Sequence, residues 1–409
     1  MFIHDTENGL PIQIWCASPE AVEEGCMEQA EHLAKLPFAV DHIALMPDTH
    51  QGKGMPIGGV LACEGVLIPN AVGVDIGCGM GFVQTNIPVQ LLRETMTGSG
   101  SVLHTIIGNI LRGIPTGRNN YKKPQPSAVL DRAKEEMDKY EQDTALLPFL
   151  ESGCYQVGTL GGGNHFIELQ ENENGMCAIM LHSGSRHFGN EVGQYFNRIA
   201  QELNAKWYSS VPAEWTLPFL PADTKQGQQY LNWMQLSMDY AFENRAVMLA
   251  KVKEIFGVYT EKYLGMVPEF TGEINCHHNY AALETHYGKE VWVHRKGAVR
   301  AGAGELAVIP GAMGSYSYVV RGLGNPESFC TSSHGAGRKY SRTAAMEQFR
   351  VDMVMNDLKS KGVVLGKLGK QDVPEECRFA YKDIDEVMEQ QKDLVEPVKR
   401  LFCAGVVKG

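Results

Sequence analysis

Several things are missing from this 409-residue chain, and each absence removes a class of explanation. Ten cysteines contain no Cys-x-x-Cys pair, which sets aside a zinc ribbon or a thioredoxin-like redox motif. No apolar run approaches the ~18 residues of a membrane helix. The N-terminus, MFIHDTENGLPIQIW, has neither the basic segment nor the apolar core of a secretory leader. The expectation is a cytoplasmic protein with reduced thiols and no membrane association. The phosphate-cradling spacing G-x-x-x-x-G-K-[ST] is absent. Neither GVDIGCGMG nor GTLGGGNHF has the spacing of a dinucleotide fingerprint. Cations are outnumbered, 37 Lys and Arg against 48 Asp and Glu, for a net charge of −11, which argues against a simple nucleic-acid coat protein. No repeat of fixed period and no low-complexity linker divides the chain.

What remains is a chain with 44% hydrophobic and 21% charged residues, an ordinary globular balance. Its 44 glycines cluster in short runs such as GVDIGCGMG, GTLGGGN and SHGAGR, where a backbone can turn sharply or approach a ligand. Charge is uneven. Residues 289–342 hold eight cations (Lys289, Arg295, Lys296, Arg300, Arg321, Arg338, Lys339, Arg342) and three acids (Glu290, Glu305, Glu327), so an anionic ligand is expected there.

Ser18 as N-cap with Pro19 after it predicts a helix over 18–36. Short apolar runs broken by Gly and Pro predict buried strands and tight loops from His42 to Met80. A charged amphipathic helix is expected over 126–150, longer helices near 189–205 and 228–256, strands over 289–330, and closing helices near 341–361 and 384–401. Strands and helices mix without strict alternation. That predicts one α+β domain spanning 1–409 rather than a doubly wound sheet.

The histidines carry the most chemical information. Five of thirteen sit in small, polar or glycine-rich settings: His165 in GGGNHF, His182 in LHSGSR, His277 and His278 in NCHHNY, and His334 in SSHGAGR. Asp75 and Cys78 share GVDIGCG. Taken singly, each is a satisfied loop histidine, a turn aspartate or a small buried thiol. Adjacent His277 and His278 cannot face the same way on a strand, so one of them at most is expected as a ligand. Taken together they are transition-metal ligand types on loops able to converge. A metal site and a scatter of structural histidines both fit at this point. If a metal is bound, thiolate and imidazole softness points to Zn²⁺.

The segments MPDTHQGKGMPIGGV, AVGVDIGCGM, LGGGNHFIE, LHSGSR, EINCHHNY, RKGA, IPGAMG and SHGAGRKYSRT, with AYKDIDEVM and VVKG near the C-terminus, resemble in order the RtcB family of RNA-splicing ligases. The resemblance runs from about residue 10 to 409. It implies mixed sheets around a deep metal- and nucleotide-binding cleft, two Mn²⁺ ions in place of zinc, and GTP as co-substrate. The implied substrates are RNA ends, one with a 3′-phosphate or 2′,3′-cyclic phosphate and one with a 5′-hydroxyl. His334 matches the histidine that becomes guanylylated before GMP passes to the RNA 3′-phosphate. Asp75, Cys78, His165, His182 and His278 match metal ligands, with Cys78 as the bridge between ions. Asn164, Glu168, Asn279, Ser317, Ala336, Gly337, Tyr381 and Lys408 match guanine-nucleotide contacts. Arg186, Arg338 and Arg342 match cations that hold RNA phosphates. Ala312 departs from the family's usual serine in this PGAMG loop. An archease-type activator is a partner of the kind the resemblance implies. Two other readings of these residues stand beside the ligase: a metal-dependent RNA phosphoesterase without guanylylation, and an RNA-end-binding protein without turnover.

Overall fold

The computed structural model describes residues 1–409. Its architecture is mixed α+β, built on two principal sheets. The six-stranded sheet runs Phe2–His4, Ile12–Ile14, Ala39–Lys53, Met55–Cys63, Lys289–Lys296, Asn279–His286 in spatial order. Residue alternation divides its two faces. Ala44, Met46, Val60, Ala62, Val291 and Val293 point into one core, while Ile43, Leu45, Leu61 and Cys63 meet the helix Glu24–Ala34 on the other side.

The eight-stranded sheet runs Phe270–His277, Gly79–Pro88, Met176–Ser183, Phe166–Asn172, Val395–Lys408, Tyr316–Gly322, Leu306–Ile309, with Val364–Gly366 added in parallel beside Val395–Lys408. Its last strand returns to pack against its first, so the sheet nearly closes. Both faces of its central strands, Gly79–Pro88, Met176–Ser183 and Phe166–Asn172, are buried. Met80, Phe82, Phe166, Ala178 and Met180 face inward, while Val83, Ile167, Leu169, Ile179 and Leu181 face outward under the helices Val102–Gly113 and Lys225–Leu264. This is why these strands read as unbroken apolar runs.

The antiparallel pairing of this sheet decides where the chemistry goes. His182 pairs with both Met80 and Phe166, Cys276 pairs with Met80, and Lys408 pairs with Phe166. Neighbouring strands run in opposite directions. The end of one therefore lies beside the start of the next, and five strand termini gather along one rim.

The helix Lys225–Leu264 is longer than expected at both ends. Thr224 caps it by accepting from the Gly227 amide, and Gly265 in the left-handed region stops it. The helix near 189–205 is Arg186–Lys206. Other expectations shift. Ser18 precedes only a short 3₁₀ turn, Pro19–Ala21, and the helix starts at Glu24 without a side-chain cap. The 126–150 stretch breaks into Ala128–Glu135, a 3₁₀ turn at Met137–Lys139 and a second short helix, Leu147–Ser152, and between them Asp143 turns inward to accept from Trp233 Nε1 at 2.8 Å. The 341–361 helix is two, Arg342–Gln348 and Val351–Ser360, with Phe349 extended between them. The expected helix over 384–401 ends at Gln390, and Val395–Lys408 is a central strand. Pro397 cannot sit inside a helix, and it falls where the register with Tyr316–Gly322 slips.

Candidate metal and nucleotide site

Four donors stand on adjacent strand ends of the eight-stranded sheet. His278 follows Phe270–His277, Cys78 precedes Gly79–Pro88, His182 closes Met176–Ser183, and His165 precedes Phe166–Asn172. The Cys78 Sγ lies 3.2 Å from His182 Nε2 and 3.4 Å from His165 Nε2. His165 Nε2 is 3.1 Å from Asp75 Oδ2, and His182 Nε2 is 3.3 Å from His278 Nε2. Ligand atoms of Cys78, His165 and His182 all fall within 4.8 Å of one another.

Ring orientation follows from the second nitrogens. His165 Nδ1 donates to the Leu160 carbonyl at 2.9 Å, and His182 Nδ1 donates to the Asn164 carbonyl at 3.2 Å. Their Nε2 lone pairs are thereby aimed at one another's neighbourhood. Burial and the neighbouring imidazoles push His182 and His278 well below the usual histidine range, so both are neutral. Burial, and then the Asp75 carboxylate, push the Cys78 thiol well up. Converging lone pairs and a thiol that needs a cation to ionise fit a divalent transition metal. His277, next to His278, faces away and meets Arg245 Nη2 at 3.1 Å, as strand alternation required.

His334 approaches this cluster from the other side. It follows the short strand Thr331–Ser333, which pairs with Ala298–Arg300. Its Nδ1 lies 2.7 Å from Asp48 Oδ2, and the His334 and Gly335 amides donate to the same oxygen at 3.1 and 3.2 Å. Asp48 comes from the strand Ala39–Lys53 and is fully buried. The carboxylate fixes the proton on Nδ1 and leaves Nε2 as the free, nucleophilic nitrogen. The His278 ring stands edge-on to His334 with centroids 4.8 Å apart, so His334 faces the donor cluster.

Both meet in a cavity of about 710 Å³. Asp75, Cys78, His182, His278 and His334 line it, and so do Asn164, Glu168, Asn279, Ala336, Gly337, Tyr381 and Lys408 from the proposed nucleotide set. His165 and Arg186 line instead an adjoining cavity of about 620 Å³ with no hydrophobic wall, shared through Asp75 and Asn164. Glu168 is on the inward face of its strand. Burial pushes its carboxyl up to about 7, against the pull of Gln170 and Lys408. Ser317 does not reach the cavity. Its hydroxyl accepts from Gln170 Nε2 and the Gly311 amide, one step behind Glu168. Asn279 lines the cavity but uses its amide internally, donating to the Asp75 carbonyl at 3.1 Å and accepting from the Gly297 amide at 2.7 Å. Tyr381 donates to Glu376 Oε2 at 2.6 Å, and Lys408 Nζ lies 3.3 Å from the same oxygen. Ala312 sits in the wall, its carbonyl accepting from Ser315 Oγ at 2.8 Å.

The three arginines differ. Arg338 is engaged inside the chain, with its guanidinium over the Tyr381 ring and bonded to the Tyr381 hydroxyl at 2.9 Å. Arg342 is half-exposed and 3.7 Å from Glu376. Arg186 is nearly buried, donating to Thr159 Oγ1 and the Gly117 carbonyl at 3.1 Å each. Arg186 and Arg342 flank the glycine run before His165. A Cβ at Gly163 (φ +67°) would stand 2.5 Å from Arg342 Nη2, and one at Gly161 (φ +90°) would overlap the Arg186 guanidinium. The basic window is also divided. Arg295 is fully buried against Glu284, and Lys296 donates to three carbonyls, those of Lys53, Met55 and Asn70.

Two contributors escaped the sequence reading. Asp48 lies within the quoted MPDTH segment but carried no assigned role, since the histidine it meets, His334, is 286 residues away in a different segment. Arg245, in the middle of the helix Lys225–Leu264, is fully buried. It donates to the Gly77 carbonyl at 2.7 Å and the Ser183 carbonyl at 3.0 Å, pinning the loop of Cys78 to the end of the strand that carries His182. Nothing in its local sequence marks it as internal.

The family model described as tRNA-splicing ligase RtcB matches residues 29–409. The chain belongs to the RtcB family. The RNA-splicing ligase RtcB of Escherichia coli K12 is 40% identical over 411 residues, covering 99% of this chain and 98% of that protein. The tRNA-splicing ligase RtcB of Thermococcus kodakarensis is 33% identical, covering 95% and 92%. The RNA-splicing ligase RtcB of Mycobacterium tuberculosis is 31% identical, covering 93% and 100%. RtcB membership therefore extends over nearly the whole chain, and both sheets and the rim between them lie inside it. All ten cysteines are unpaired, and no helix is long and apolar enough to cross a membrane.

Proposed function

We propose that this RtcB-family RNA ligase joins an RNA 3′-phosphate or 2′,3′-cyclic phosphate to an RNA 5′-hydroxyl, using GTP and two Mn²⁺ ions, through a guanylylated His334. The observation that carries the reading is the His334–Asp48 pair beside the Cys78, His165, His182 and His278 donors. It presents a free Nε2 lone pair at a wall of the main cavity, and a neutral imidazole is a competent nucleophile near pH 7.

In this reading the His334 Nε2 lone pair attacks the α-phosphorus of GTP. The bond to the β-phosphate oxygen breaks and pyrophosphate leaves. The ring gains positive charge, which Asp48 offsets through Nδ1–H. An oxygen of the RNA 3′-phosphate then attacks the same phosphorus, the P–N bond breaks, and His334 returns to its neutral form. The 5′-hydroxyl finally displaces GMP from the activated end and releases its proton. A cyclic end is first opened by water. Asp75, Cys78, His165, His182 and His278 hold the metal ions, which supply charge neutralisation and in-line orientation at the phosphates. The donor set alone favours a soft ion such as zinc. Manganese is taken from the family, since metal supply and geometry override intrinsic affinity.

In this reading Glu168 accepts guanine N–H groups and Lys408 donates to guanine oxygen, with Tyr381, Asn164, Ala336 and Gly337 completing the nucleotide walls of the cavity they line. Ser317 and Asn279 act through the residues they hold. In the same reading Arg186, Arg338 and Arg342 meet RNA phosphates, Arg342 from its half-exposed position and Arg186 and Arg338 by exchanging the internal hydrogen bonds they make here. Both sheets supply the site, so residues 1–409 act as one domain. The physiological ligation is tRNA splicing or RNA repair, with an archease-type activator as the partner to test for.

The test is ligation of a 3′-phosphate oligonucleotide to a 5′-hydroxyl oligonucleotide with GTP and MnCl₂. The reading expects GTP-dependent product from the wild-type chain and none from His334→Ala. End-processing that survives in His334→Ala without ligation by wild type would favour the phosphoesterase instead. RNA binding with neither activity would leave only an end-binding protein.

A further inference from the structure

One aromatic side chain at the mouth of the main cavity has no part in the scheme above. Tyr340 lies in the turn GRKYSR between Arg338, Lys339 and Arg342, just before the helix Arg342–Gln348 that Ser341 caps. It lines the cavity, yet 40% of the residue is open to solvent. Its ring is not loose. Phe349 meets it edge-on with centroids 5.6 Å apart at 84°, and Phe349 rests in turn on Phe379 at 5.8 Å. The backbone is fixed as well, since the Tyr340 carbonyl accepts from Arg338 Nε at 2.9 Å. An aromatic ring braced by Phe349, left open, and neighboured in the chain by the exposed Lys339 and Arg342 is an arrangement suited to single-stranded nucleic acid. The cations meet phosphates and the ring takes a base.

The position separates this ring from the guanine site. Glu168 and Lys408 are buried, whereas Tyr340 is at the open rim. It also separates the two RNA strands. Tyr340 shares the cavity of His334, six residues back in the chain, whereas the adjoining cavity with Arg118 and Arg186 lies beyond Asp75 and Asn164. The strand that must reach His334 is the one receiving GMP.

We propose that Tyr340 is a stacking platform for the terminal base of the RNA strand that carries the 3′-phosphate. This rests on the ligase reading for the identity of that strand.

The experiment compares full-length wild type with Tyr340→Ala, Tyr340→Phe and Tyr340→Trp. Two readouts are taken: anisotropy binding of a labelled 3′-phosphate RNA oligonucleotide, and single-turnover transfer of GMP to it. Each is repeated with an oligonucleotide whose 3′-terminal nucleotide is abasic. Tyr340→Ala is expected to weaken RNA binding by about ten- to a hundredfold, the usual worth of one base on one ring. Phe and Trp are expected to remain within about threefold of wild type, because any aromatic face serves. Removing the base is expected to cost wild type as much as removing the ring, and to cost Tyr340→Ala nothing further. Equal affinity of wild type and Tyr340→Ala for the base-bearing strand overturns the proposal. So does an undiminished loss on base removal in Tyr340→Ala. A shift in half-saturating GTP without a shift in RNA binding assigns the ring to the nucleotide instead. The binding comparison needs no guanylylation. A chain that fails to take GMP would therefore sink the ligase reading while the platform is still decided by the anisotropy.

Discussion

Replacing Asp48 by asparagine keeps the shape of the wall behind His334 and removes its charge. In the native arrangement one carboxylate oxygen takes three N–H donors, from the His334 ring and from the His334 and Gly335 amides. Asparagine still offers a carbonyl oxygen, so the loop keeps its course. What is lost is the negative charge facing a ring that becomes cationic as Nε2 bonds to phosphorus. Two unit charges about 4 Å apart interact by ~4 kcal/mol at an effective dielectric constant of about 20. Each 1.36 kcal/mol is tenfold in rate, so the expected loss in the guanylylation rate is about a thousandfold. Asparagine also removes the strict preference for the proton on Nδ1, which acts in the same direction. The assay is the single-turnover rate of covalent GMP incorporation without RNA, with GTP saturating and a melting curve to show that the variant folds. Half-saturating GTP is expected to stay near wild type, because Asp48 does not face the nucleotide walls. A variant that guanylylates within about threefold of wild type would refute the assignment of Asp48 and, with it, the charge argument.

Three further outcomes are expected. Cys78→Ala removes the sulfur closest to both His165 and His182, so bound Mn²⁺ measured by elemental analysis falls; unchanged stoichiometry would contradict a bridging Cys78. Glu168 is held near pKa 7 by burial, and guanine N–H groups need its ionised form, so half-saturating GTP is expected to improve about tenfold per pH unit up to about pH 7 and then level off, with Glu168→Gln showing weak binding and no such slope. The stability sign is the opposite one: because the folded-state value is raised from 4.5, the unfolded chain releases this proton first, and the Glu168 contribution to stability declines as pH rises from about 4.5 to about 7. Gly163→Ala places a methyl group against Arg342 in a left-handed backbone and is expected to cost about 1–2 kcal/mol of stability and to weaken RNA binding; a melting temperature and RNA affinity equal to wild type would show that the loop yields freely.

The candidate donors were legible because they sit in short polar or glycine-rich segments, Asp75 and Cys78 in one of them, and the segments keep the family's order. The sequence did not show why they converge. That requires five strands of one antiparallel sheet to end on the same rim, a property of register rather than of any segment. Alternation along a strand allowed one of His277 and His278 at most, and the family resemblance chose His278; the two rings do point apart, His278 toward His182 and His277 toward Arg245. Asp48 stayed hidden because its partner is 286 residues away. Arg245 stayed hidden because a charged residue in a long amphipathic helix looks like a solvated one, and only the packing of that helix across the sheet turns it inward. The helix expected over 384–401 failed for a local reason: Val395, Val398 and Leu401 fit a helical period as well as a strand, and the strand is buried continuously only from Cys403 to Lys408, beyond the segment that was read as helix. Tyr340, read only as part of a basic stretch, acquired meaning from Phe349 and from the cavity mouth.

The central claim is that His334 carries GMP. Incubating the full-length chain with α-labelled GTP and MnCl₂, then mapping the label by peptide mass spectrometry, tests it most directly. The account predicts an acid-labile, alkali-stable adduct on the peptide containing His334, absent from His334→Ala. No adduct in wild type, or an adduct that persists in His334→Ala, would contradict it.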